Sequence, residues 1–295
     1  MTPLLLEVNN LYKSYKTVDA VNGISFAIPR GICFGLLGPN GAGKTTALEV
    51  IEGIIPPTAG EVLYKGAQIT DSFREEVGIQ FQHTTLLNFM TVRETLRAFR
   101  SLYLETENIE DLIEICKLED ILDQMNNKIS GGQAQRLMLA LALVNKPKLV
   151  FLDEPSTGLD PQARRYLWEI IRGIKEQGKT IILTTHSMDE AEYLCDEIAI
   201  MDHGQIIAQG GPAELINRYC EGVTISLPRD NVSMRLADLP FQYREVNGRI
   251  EIMTDKVNKG IEKLLALKID LVEMTVHSPN LEDVFLSLTG RQLRN

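Results

Sequence analysis

The sequence predicts an α/β fold with a mostly parallel sheet, followed by a small α+β unit at the C-terminal end. Up to about residue 219, short apolar runs alternate with helix-competent segments, and this alternation is typical of a parallel sheet flanked by helices. Beyond residue 220 the pattern changes to strands joined by turns, of which Asn247-Gly248 is a strong hairpin signal. The predicted domains are therefore residues 1–219 and residues 220–295.

The predicted strands of the first domain are apolar runs or apolar–polar alternations bounded by turns. Asn22 to Ile28 alternates, as a half-buried strand does, whereas Cys33 to Leu37 and Leu149 to Leu152 are continuously apolar, as buried strands are. The other predicted strands are Leu4 to Asn9, a hairpin over Gly60 to Ile69, Val77 to Phe81, Thr180 to Leu183, and a hairpin of Ile198 to Met201 with Gln205 to Ala208.

The predicted helices begin at capping residues and carry apolar faces. Thr91, with Glu94 three residues later, forms a capping box for a helix that reaches Tyr103. Residues 91–127 carry no strand signal, which indicates an inserted helical subdomain at about residues 84–145. The other predicted helices are Thr46 to Glu52, Ser130 as N-cap of a helix to about Val144, Gln162 to Glu176, Met188 to Leu194 and Pro212 to Tyr219.

The second domain is predicted to mix short strands with two helices. The strands are Val223 to Leu227, Tyr243 to Val246, Arg249 to Ile252 and Leu271 to Val276. The helices are Lys256 to Leu267 and Pro279 to Leu288, the latter capped by Ser278 and ended by Gly290.

A glycine-rich loop between the strand Cys33 to Leu37 and the following helix has the pattern of a phosphate-binding loop. Its residues are Gly38, Pro39, Asn40, Gly41, Ala42, Gly43, Lys44 and Thr45. Glycines let the backbone wrap closely around an anion, and the N–H groups of the loop and helix start point at it. Lys44 supplies a positive charge for phosphates and Thr45 a hydroxyl for Mg²⁺, so the stretch predicts nucleotide binding.

Two other stretches carry residues suited to phosphate chemistry. Asp153 and Glu154 follow a buried strand, and the carboxyl ends of such strands are where ligands bind in open α/β sheets. Ser130 to Gln133 begins a helix with two glycines, which allow close approach to an anion.

Composition and charge restrict the class of protein. The chain has 295 residues, 44% of them hydrophobic and 24% charged, which is ordinary for a globular protein. Its net charge of −10 argues against nucleic acid as the main partner. We expect neither a signal peptide nor a transmembrane helix, since the longest apolar run is Leu137 to Val144. The four scattered cysteines predict free thiols in a reducing compartment.

Taken in order, these motifs resemble those of the ATP-binding subunits of ABC transporters, over about residues 4 to 219. The matching segments are Gly38 to Thr45 (Walker A), Ser130 to Gln133 (signature, preceded by Ile129 where leucine is usual), Leu149 to Asp153 (Walker B) and Gly158-Leu159-Asp160 (D-loop). The signature between the two Walker motifs separates this family from kinases and GTPases.

The resemblance implies a P-loop ATPase core with an antiparallel β part, and a head-to-tail dimer that holds each ATP between two subunits. The implied nucleotide-binding residues are Tyr15, which stacks on adenine, the loop from Gly38 to Thr45 with Thr46, and Ser130, Gly131, Gly132, Gln133 and Asp160 at the subunit boundary. Thr45, Gln82 and Asp153 are implied to hold Mg²⁺. Glu154 is implied to activate the attacking water, with His186 and Gln82 assisting. Tyr12 stays an alternative to Tyr15, and Gln80 to Gln82.

The C-terminal segment resembles the end of the drug-resistance and ABC-A-like exporter ATPases, which are paired with type-two permeases. Leu281 to Leu286 and Thr289-Gly290-Arg291 carry this likeness. It implies a polytopic membrane permease as partner, a second ATP-binding subunit, identical or paralogous, and a location on the cytoplasmic face of the cell membrane.

Several alternatives remain open. The loop His83 to Asn88 and residues 91–127 either dock the permease or serve as scaffold, and the C-terminal domain either regulates, supports the dimer or only stabilises. The function that the resemblance implies is that of an ATP-binding and hydrolysing subunit that powers a membrane ABC transporter, and the C-terminal likeness implies an exporter. The alternative function is a non-transport ABC ATPase that acts on a soluble macromolecular complex. A regulator without hydrolysis is disfavoured by Glu154 and His186.

Overall fold

The computed structural model describes residues 3–82, 84–220, 222–233 and 236–290, in which helices flank three β-sheets. The strands are, in chain order, β1 (Leu4–Tyr15), β2 (Val18–Pro29), β3 (Cys33–Leu37), β4 (Ala59–Tyr64), β5 (Ala67–Gln68), β6 (Val77–Gln80), β7 (Leu149–Asp153), β8 (Thr180–Thr185), β9 (Glu197–Asp202), β10 (Gln205–Gly210), β11 (Val223–Pro228), β12 (Tyr243–Val246), β13 (Arg249–Thr254) and β14 (Thr275–His277).

The helices are α1 (Lys44–Ile51), α2 (Asp71–Glu76), α3 (Val92–Arg100), α4 (Ile109–Cys116), α5 (Gly131–Leu143), α6 (Pro161–Glu176), α7 (Met188–Leu194), α8 (Pro212–Tyr219), α9 (Val257–Ala266) and α10 (Leu281–Thr289). Among the described residues, none of the helices combines the length and the apolar character needed to span a bilayer.

The chain separates into one unit that ends at Pro212 and another that begins at Ala213. Almost all of α8 therefore groups with the C-terminal residues, whereas the sequence analysis assigns this helix to the first domain. The assignment of residues 1–219 and 220–295 as domains stays a prediction.

A six-stranded sheet in the order β10-β9-β3-β8-β7-β6 brings the sequence motifs to one edge. β3 pairs in parallel with β8 and β9, and β7 pairs in parallel with β6 and β8. Every residue of β3, β7 and β8 is buried, as expected for strands covered on both faces. Because the carboxyl ends of these strands meet, the segments that begin at Gly38, Glu154 and His186 lie side by side.

An antiparallel sheet in the order β2-β1-β4-β5 shares a core with α1 and the parallel sheet. Phe26 of β2 stacks on Phe34 of β3, with ring centroids 4.8 Å apart. β1 extends beyond the predicted Leu4 to Asn9, because it pairs with β2 as far as Tyr15 opposite Val18. Tyr12 and Tyr15 consequently belong to this strand.

The first helix after β6, α3, begins after Thr91, as the capping pattern predicts. The capping box of α3 is confirmed, since the Thr91 hydroxyl accepts from the Glu94 N–H at 3.2 Å and the Glu94 carboxylate accepts from the Thr91 N–H at 2.8 Å. The Asn126 amide donates to the Leu87 carbonyl at 2.9 Å and to the Thr95 hydroxyl at 2.8 Å. These bonds hold the loop after β6 against α3.

The C-terminal unit contains an antiparallel sheet in the order β12-β13-β11-β14. Its core is formed by alternate residues of β11 and β13 together with α9 and neighbouring turns, and includes Ile225, Ile252 and Leu264. The predicted Asn247-Gly248 hairpin is confirmed, with φ of 50° and 74° in a turn that joins β12 to β13.

Two local predictions in this unit are wrong. The predicted strand Leu271 to Val276 is shorter in the structure, where only Thr275 to His277 pairs. The residues before it form a turn, because Glu273 has φ 57° and the Met274 N–H donates to the Leu271 carbonyl. The side chains of Leu271 and Met274 pack against the core. The cap of α10 is Asn280 rather than Ser278. Asp283, three residues after Asn280, completes a capping box, and no acidic or amide residue stands three after Ser278.

Candidate nucleotide-binding site

The loop between β3 and α1 requires glycine at two positions. Gly43 has φ +99°, and a Cβ at this residue would lie 2.1 Å from the Ala20 carbonyl oxygen. A Cβ on Gly38 would lie 2.2 Å from the Met201 carbonyl oxygen. The loop is thus packed against β2 and β9 at distances that exclude any side chain.

Backbone hydrogen bonds from neighbouring segments hold the loop in place. The Gly204 N–H donates to the Ala42 carbonyl at 2.9 Å, and the Gly204 carbonyl accepts from the Asn22 N–H at 2.8 Å. The Gly38 N–H donates to the Thr185 carbonyl at 3.3 Å. The turn between β9 and β10 therefore connects the loop to β2, and a hydrogen bond to β8 holds Gly38, the first residue of the loop.

Lys44 is the buried cation of the site, with 4% of its surface exposed. Its Nζ donates to the Gly38 carbonyl at 2.8 Å and the Pro39 carbonyl at 3.2 Å, and lies 3.5 Å from Glu154 Oε1. Burial lowers the pKa of Lys44, while the charges of Glu154 and Asp153 oppose this shift. The ammonium group is held at the base of the loop, where a phosphate would meet it.

The carboxylate of Glu154 is the point on which the other polar side chains converge. Its Oε2 accepts from Gln82 Nε2 at 3.2 Å and from the Thr157 hydroxyl at 3.0 Å, and lies 3.1 Å from His186 Nδ1. Burial acts to raise the pKa of Glu154, but Lys44, His186 and Thr157 outweigh it and hold the pKa below its usual range.

The backbone at Glu154 is strained, with φ +47° in a region that non-glycine residues seldom occupy. Its N–H donates to the Thr184 carbonyl and hydroxyl, both at 3.1 Å, which fixes this turn to β8. Strained residues of this kind cluster at functional sites.

Asp153 lies beside this carboxylate at the end of β7. Its Oδ1 accepts from the Thr45 hydroxyl at 3.3 Å and from the Thr184 hydroxyl. Burial raises the pKa of Asp153, and these two hydrogen bonds oppose the shift. Asp153 and Thr45 thus bring two oxygen ligands together at the start of α1.

A cavity of about 440 Å³ opens over the loop. The predicted site residues that line it are Asn40, Gly41, Gly43, Lys44, Thr45, Thr46, Gln82 and Glu154. Five further lining residues were not predicted from the sequence, namely Val18, Asp19, Ala20, His203 and Gly204. The hairpin around His203-Gly204 is predicted above, but nothing in its local pattern indicates that it reaches the loop.

The two candidate glutamines, Gln80 and Gln82, lie in different surroundings. Gln80 is buried at the end of β6 and its amide contacts Gln135, whereas Gln82 lines the cavity and contacts Glu154. Tyr15 is about half exposed with Lys13 over its ring at 5.4 Å, and is not among the residues that line the cavity.

The signature residues Ser130 to Gln133 and the D-loop residue Asp160 are not among the residues that line the cavity. Ser130 caps α5 in a capping box with Gln133, and Gly132 is packed so that a Cβ would lie 3.1 Å from the Ala163 side chain. Asp160 caps α6 by accepting from the N–H groups of Gln162 and Ala163, both at 2.9 Å. His83 and Arg291, which the sequence analysis names, lie outside the described residues.

The chain is similar to known proteins in sequence and in fold. A family model described as "ABC transporter" matches residues 21–157, and one described as "AAA domain, putative AbiEii toxin, Type IV TA system" matches residues 131–191. Proteins named Nod factor export ATP-binding protein I are similar over nearly the whole chain. That of Rhizobium meliloti (strain 1021) is 39% identical over 98% of this chain and 89% of its own length. That of Ralstonia nicotianae is 40% identical over 100% and 96%.

Solved structures are similar over about three quarters of the chain. An ATP-binding subunit of an ABC transporter superposes with TM-score 0.65 at 30% identity, covering 73% of this chain and 93% of its own. A dimeric ATP-binding cassette bound to ADP and Pi superposes with TM-score 0.63 at 25% identity, covering 70% and 98%.

Proposed function

The chain belongs to the ATP-binding proteins of ABC transporters. We propose that it powers export through a membrane permease by hydrolysing ATP in the cavity over the Gly38 to Thr45 loop. It is an ATPase, as the proteins of this family are. The observation that carries the assignment of the site is the convergence of Lys44, Gln82, Thr157 and His186 on the carboxylate of Glu154.

Lys44 and the loop backbone are proposed to bind the triphosphate. The buried ammonium group and the N-terminus of α1 provide positive charge at the loop. Because Lys44 also lies 3.5 Å from Glu154 Oε1, its charge stabilises the carboxylate form of the residue that is proposed to act as base.

The oxygen ligands of Thr45 and Asp153 fit Mg²⁺, which prefers oxygen, keeps several waters and is commonly shared between carboxylates and substrate phosphates. We propose that these two residues, with the Gln82 amide, hold the ion. When bound, Mg²⁺ neutralises charge on the phosphate oxygens during transfer.

Glu154 is proposed to orient and deprotonate the attacking water. Its carboxylate can accept a proton because Lys44, His186 and Thr157 keep it ionised by lowering its pKa. The rest of phosphoryl transfer depends mainly on positioning and charge neutralisation. His186 and Gln82 each contact the same Oε2, so they fix the direction of that carboxylate, and both are proposed to reach the γ-phosphate or the water.

ATP-binding subunits of this family work with membrane permeases and form dimers. For this chain we propose a head-to-tail dimer in which Ser130 to Gln133 of each subunit meets the nucleotide of the other. The start of α5 supports this proposal, because the N-terminus of a helix that begins with two glycines suits the binding of an anion. Tyr15 is proposed to stack on adenine, and Asp160 to lie at the subunit boundary.

Export is proposed from the relatives, which are named as export proteins and match this chain almost from end to end. The C-terminal residues are included in those matches, which supports an exporter with a C-terminal accessory domain. We further propose a peripheral location on the cytoplasmic face of the membrane, with the loop after β6 and α3 to α4 facing the permease.

The test is replacement of Glu154 with glutamine. We expect ATP affinity to be kept and turnover to fall by roughly 100-fold or more, as for loss of a general base. Glu169→Gln, an exposed carboxylate of α6, is the matched control and should leave turnover unchanged.

A second measurement tests the transport role. Tagged Glu154→Gln protein is purified from detergent-solubilised membranes with ATP and Mg²⁺ present. Recovery of a polytopic permease supports the proposal, whereas recovery of ribosomes or DNA without a membrane protein contradicts it. Unchanged turnover in Glu154→Gln would contradict the assigned site itself.

A further inference from the structure

Thr157 contacts the carboxylate of Glu154 from within the same turn. Its hydroxyl donates to Glu154 Oε2 at 3.0 Å. Its N–H donates to the Glu154 carbonyl at 3.2 Å, which closes the turn that follows β7. Thr157 is therefore bonded to Glu154 through both its backbone and its side chain.

Backbone hydrogen bonds fix this turn on both sides. The Glu154 N–H donates to the Thr184 carbonyl at 3.1 Å, which joins the turn to β8. Further along the chain, the Leu159 N–H donates to the Ser156 carbonyl at 3.3 Å, and α6 begins shortly after. The surrounding backbone thus sets the position of the Thr157 hydroxyl, although the residue itself is exposed.

The other two donors to Oε2 come from outside the turn. Gln82 lies two residues after the end of β6, and His186 is the first residue after β8. Both are also proposed to reach the γ-phosphate or the attacking water, so each divides its hydrogen bonds between the carboxylate and a ligand. The Thr157 hydroxyl has a single proton to donate, and Oε2 accepts it. Thr157 is therefore the donor whose bond to the carboxylate does not depend on a ligand.

We propose that Thr157 is a positioning residue for ATP hydrolysis, whose hydroxyl holds the carboxylate of Glu154 in the direction of the attacking water. The inference rests on the proposed function of the site. The terminal torsion of a glutamate side chain has a broad distribution, so the carboxylate can rotate when this bond is removed. A misplacement of about 1 Å is enough to cost roughly 100-fold in rate.

The experiment compares Thr157→Val and Thr157→Ser in the full chain by steady-state ATP hydrolysis and by equilibrium ATP binding. Valine has nearly the shape of threonine but no hydroxyl, so for Thr157→Val we expect kcat to fall at least about tenfold. The ATP Kd should change less than about threefold, because Thr157 is not among the residues that line the cavity. Thr157→Ser retains the hydroxyl and should keep kcat within about threefold of wild type. Emission of Trp168, the single tryptophan of the chain, verifies that both variants are folded.

Thr91→Val is the matched control for a loss of stability. The Thr91 hydroxyl donates to the Glu94 carboxylate at 2.9 Å, which is the same kind of bond, in the capping box of α3. Its removal should lower the unfolding temperature and leave kcat unchanged. If Thr91→Val loses as much kcat as Thr157→Val, stability limits turnover and the proposal is overturned.

The double variant Thr157→Val with Glu154→Gln tests whether the hydroxyl acts through the carboxylate. Since the proposed base is already absent in Glu154→Gln, the second change should lower its residual turnover by less than about twofold. A further loss of about tenfold would show that Thr157 acts independently of Glu154, and would overturn the proposal.

Three outcomes of the single variants also overturn the proposal. They are wild-type kcat in Thr157→Val, a loss in Thr157→Ser as large as that in Thr157→Val, and an ATP Kd in Thr157→Val weakened by the same factor as kcat. Failure of the proposed function gives a different result, because Glu154→Gln would then keep its turnover with either threonine or valine at position 157. The positioning role would fall with it.

Discussion

Replacement of Gly43 with alanine should disable the phosphate-binding loop, and its cost follows from two features of the structure. The φ of +99° places the new residue in left-handed backbone, which costs an L-residue about 1–2 kcal/mol. The new Cβ would also lie 2.1 Å from the Ala20 carbonyl oxygen. Since real Cβ contacts essentially never fall below 3.0 Å, the loop or β2 must move by about 0.9 Å.

Neither the loop nor β2 can move freely, because backbone hydrogen bonds join them through Gly204. The Gly204 N–H donates to the Ala42 carbonyl beside Gly43, and the Asn22 N–H of β2 donates to the Gly204 carbonyl. We therefore expect the free energy of unfolding to fall by about 2–4 kcal/mol. Because the displaced loop carries Lys44, turnover should fall by roughly 100-fold.

The assay combines urea unfolding, calorimetric titration with ATP, and ATP hydrolysis. Gly178→Ala is the matched control, because Gly178 has φ +87° but a Cβ there meets no atom within 4 Å. The control should lose about 1 kcal/mol through backbone strain alone and keep its ATP affinity. If the two variants unfold alike and bind ATP alike, the close approach of Gly43 to Ala20 does not constrain the loop, and the reasoning is refuted.

Two other predictions concern single carboxyl groups. Burial, with the charge of Asp153, raises the pKa of Glu52 from 4.5 to about 8, so the folded protein retains a proton that the unfolded chain releases. This group's contribution to stability therefore falls as pH rises from 4.5 to about 8. Glu52→Gln should flatten that slope in unfolding temperatures measured across the window, and an unchanged slope would show that Glu52 is ionised in the fold. Asp160→Ala should cost about 1 kcal/mol in urea unfolding, because it removes the acceptor for the Gln162 and Ala163 N–H groups. Asp160→Asn retains a capping oxygen and should lose much less; equal losses in the two variants would contradict the capping role.

The sequence predicts an element correctly where residues within that element determine its structure. The continuously apolar run predicts β3 with the bounds that the structure has, Cys33 to Leu37, and predicts β7 as Leu149 to Leu152, one residue short of its end at Asp153, since a fully buried strand has no polar face to place. The Thr91 cap and the Asn247-Gly248 turn were likewise predictable, because their hydrogen bonds and dihedral angles involve residues within a few positions of each other.

Predictions of element ends failed in two situations. In one, a neighbouring residue made a better cap, and in the other, pairing with a second strand set the end of the strand. Ser278 is a reasonable cap by residue type, but Asn280 has Asp283 at the position needed for a capping box. The strand β1 runs to Tyr15 only because β2 pairs with it, and pairing is not visible in the apolar pattern of β1 alone.

The sequence by itself determined the family, the phosphate-binding loop and the residues of the other motifs, because these depend on residue type and spacing over short stretches. Only the tertiary structure decided that Gln82, Thr157 and His186 share one oxygen of Glu154, and that Gly43 lies against the Ala20 carbonyl. The physical reason is that the order of strands in the sheet sets which loops meet at its carboxyl edge. That order arises from packing between residues distant in the chain, which no local periodicity records.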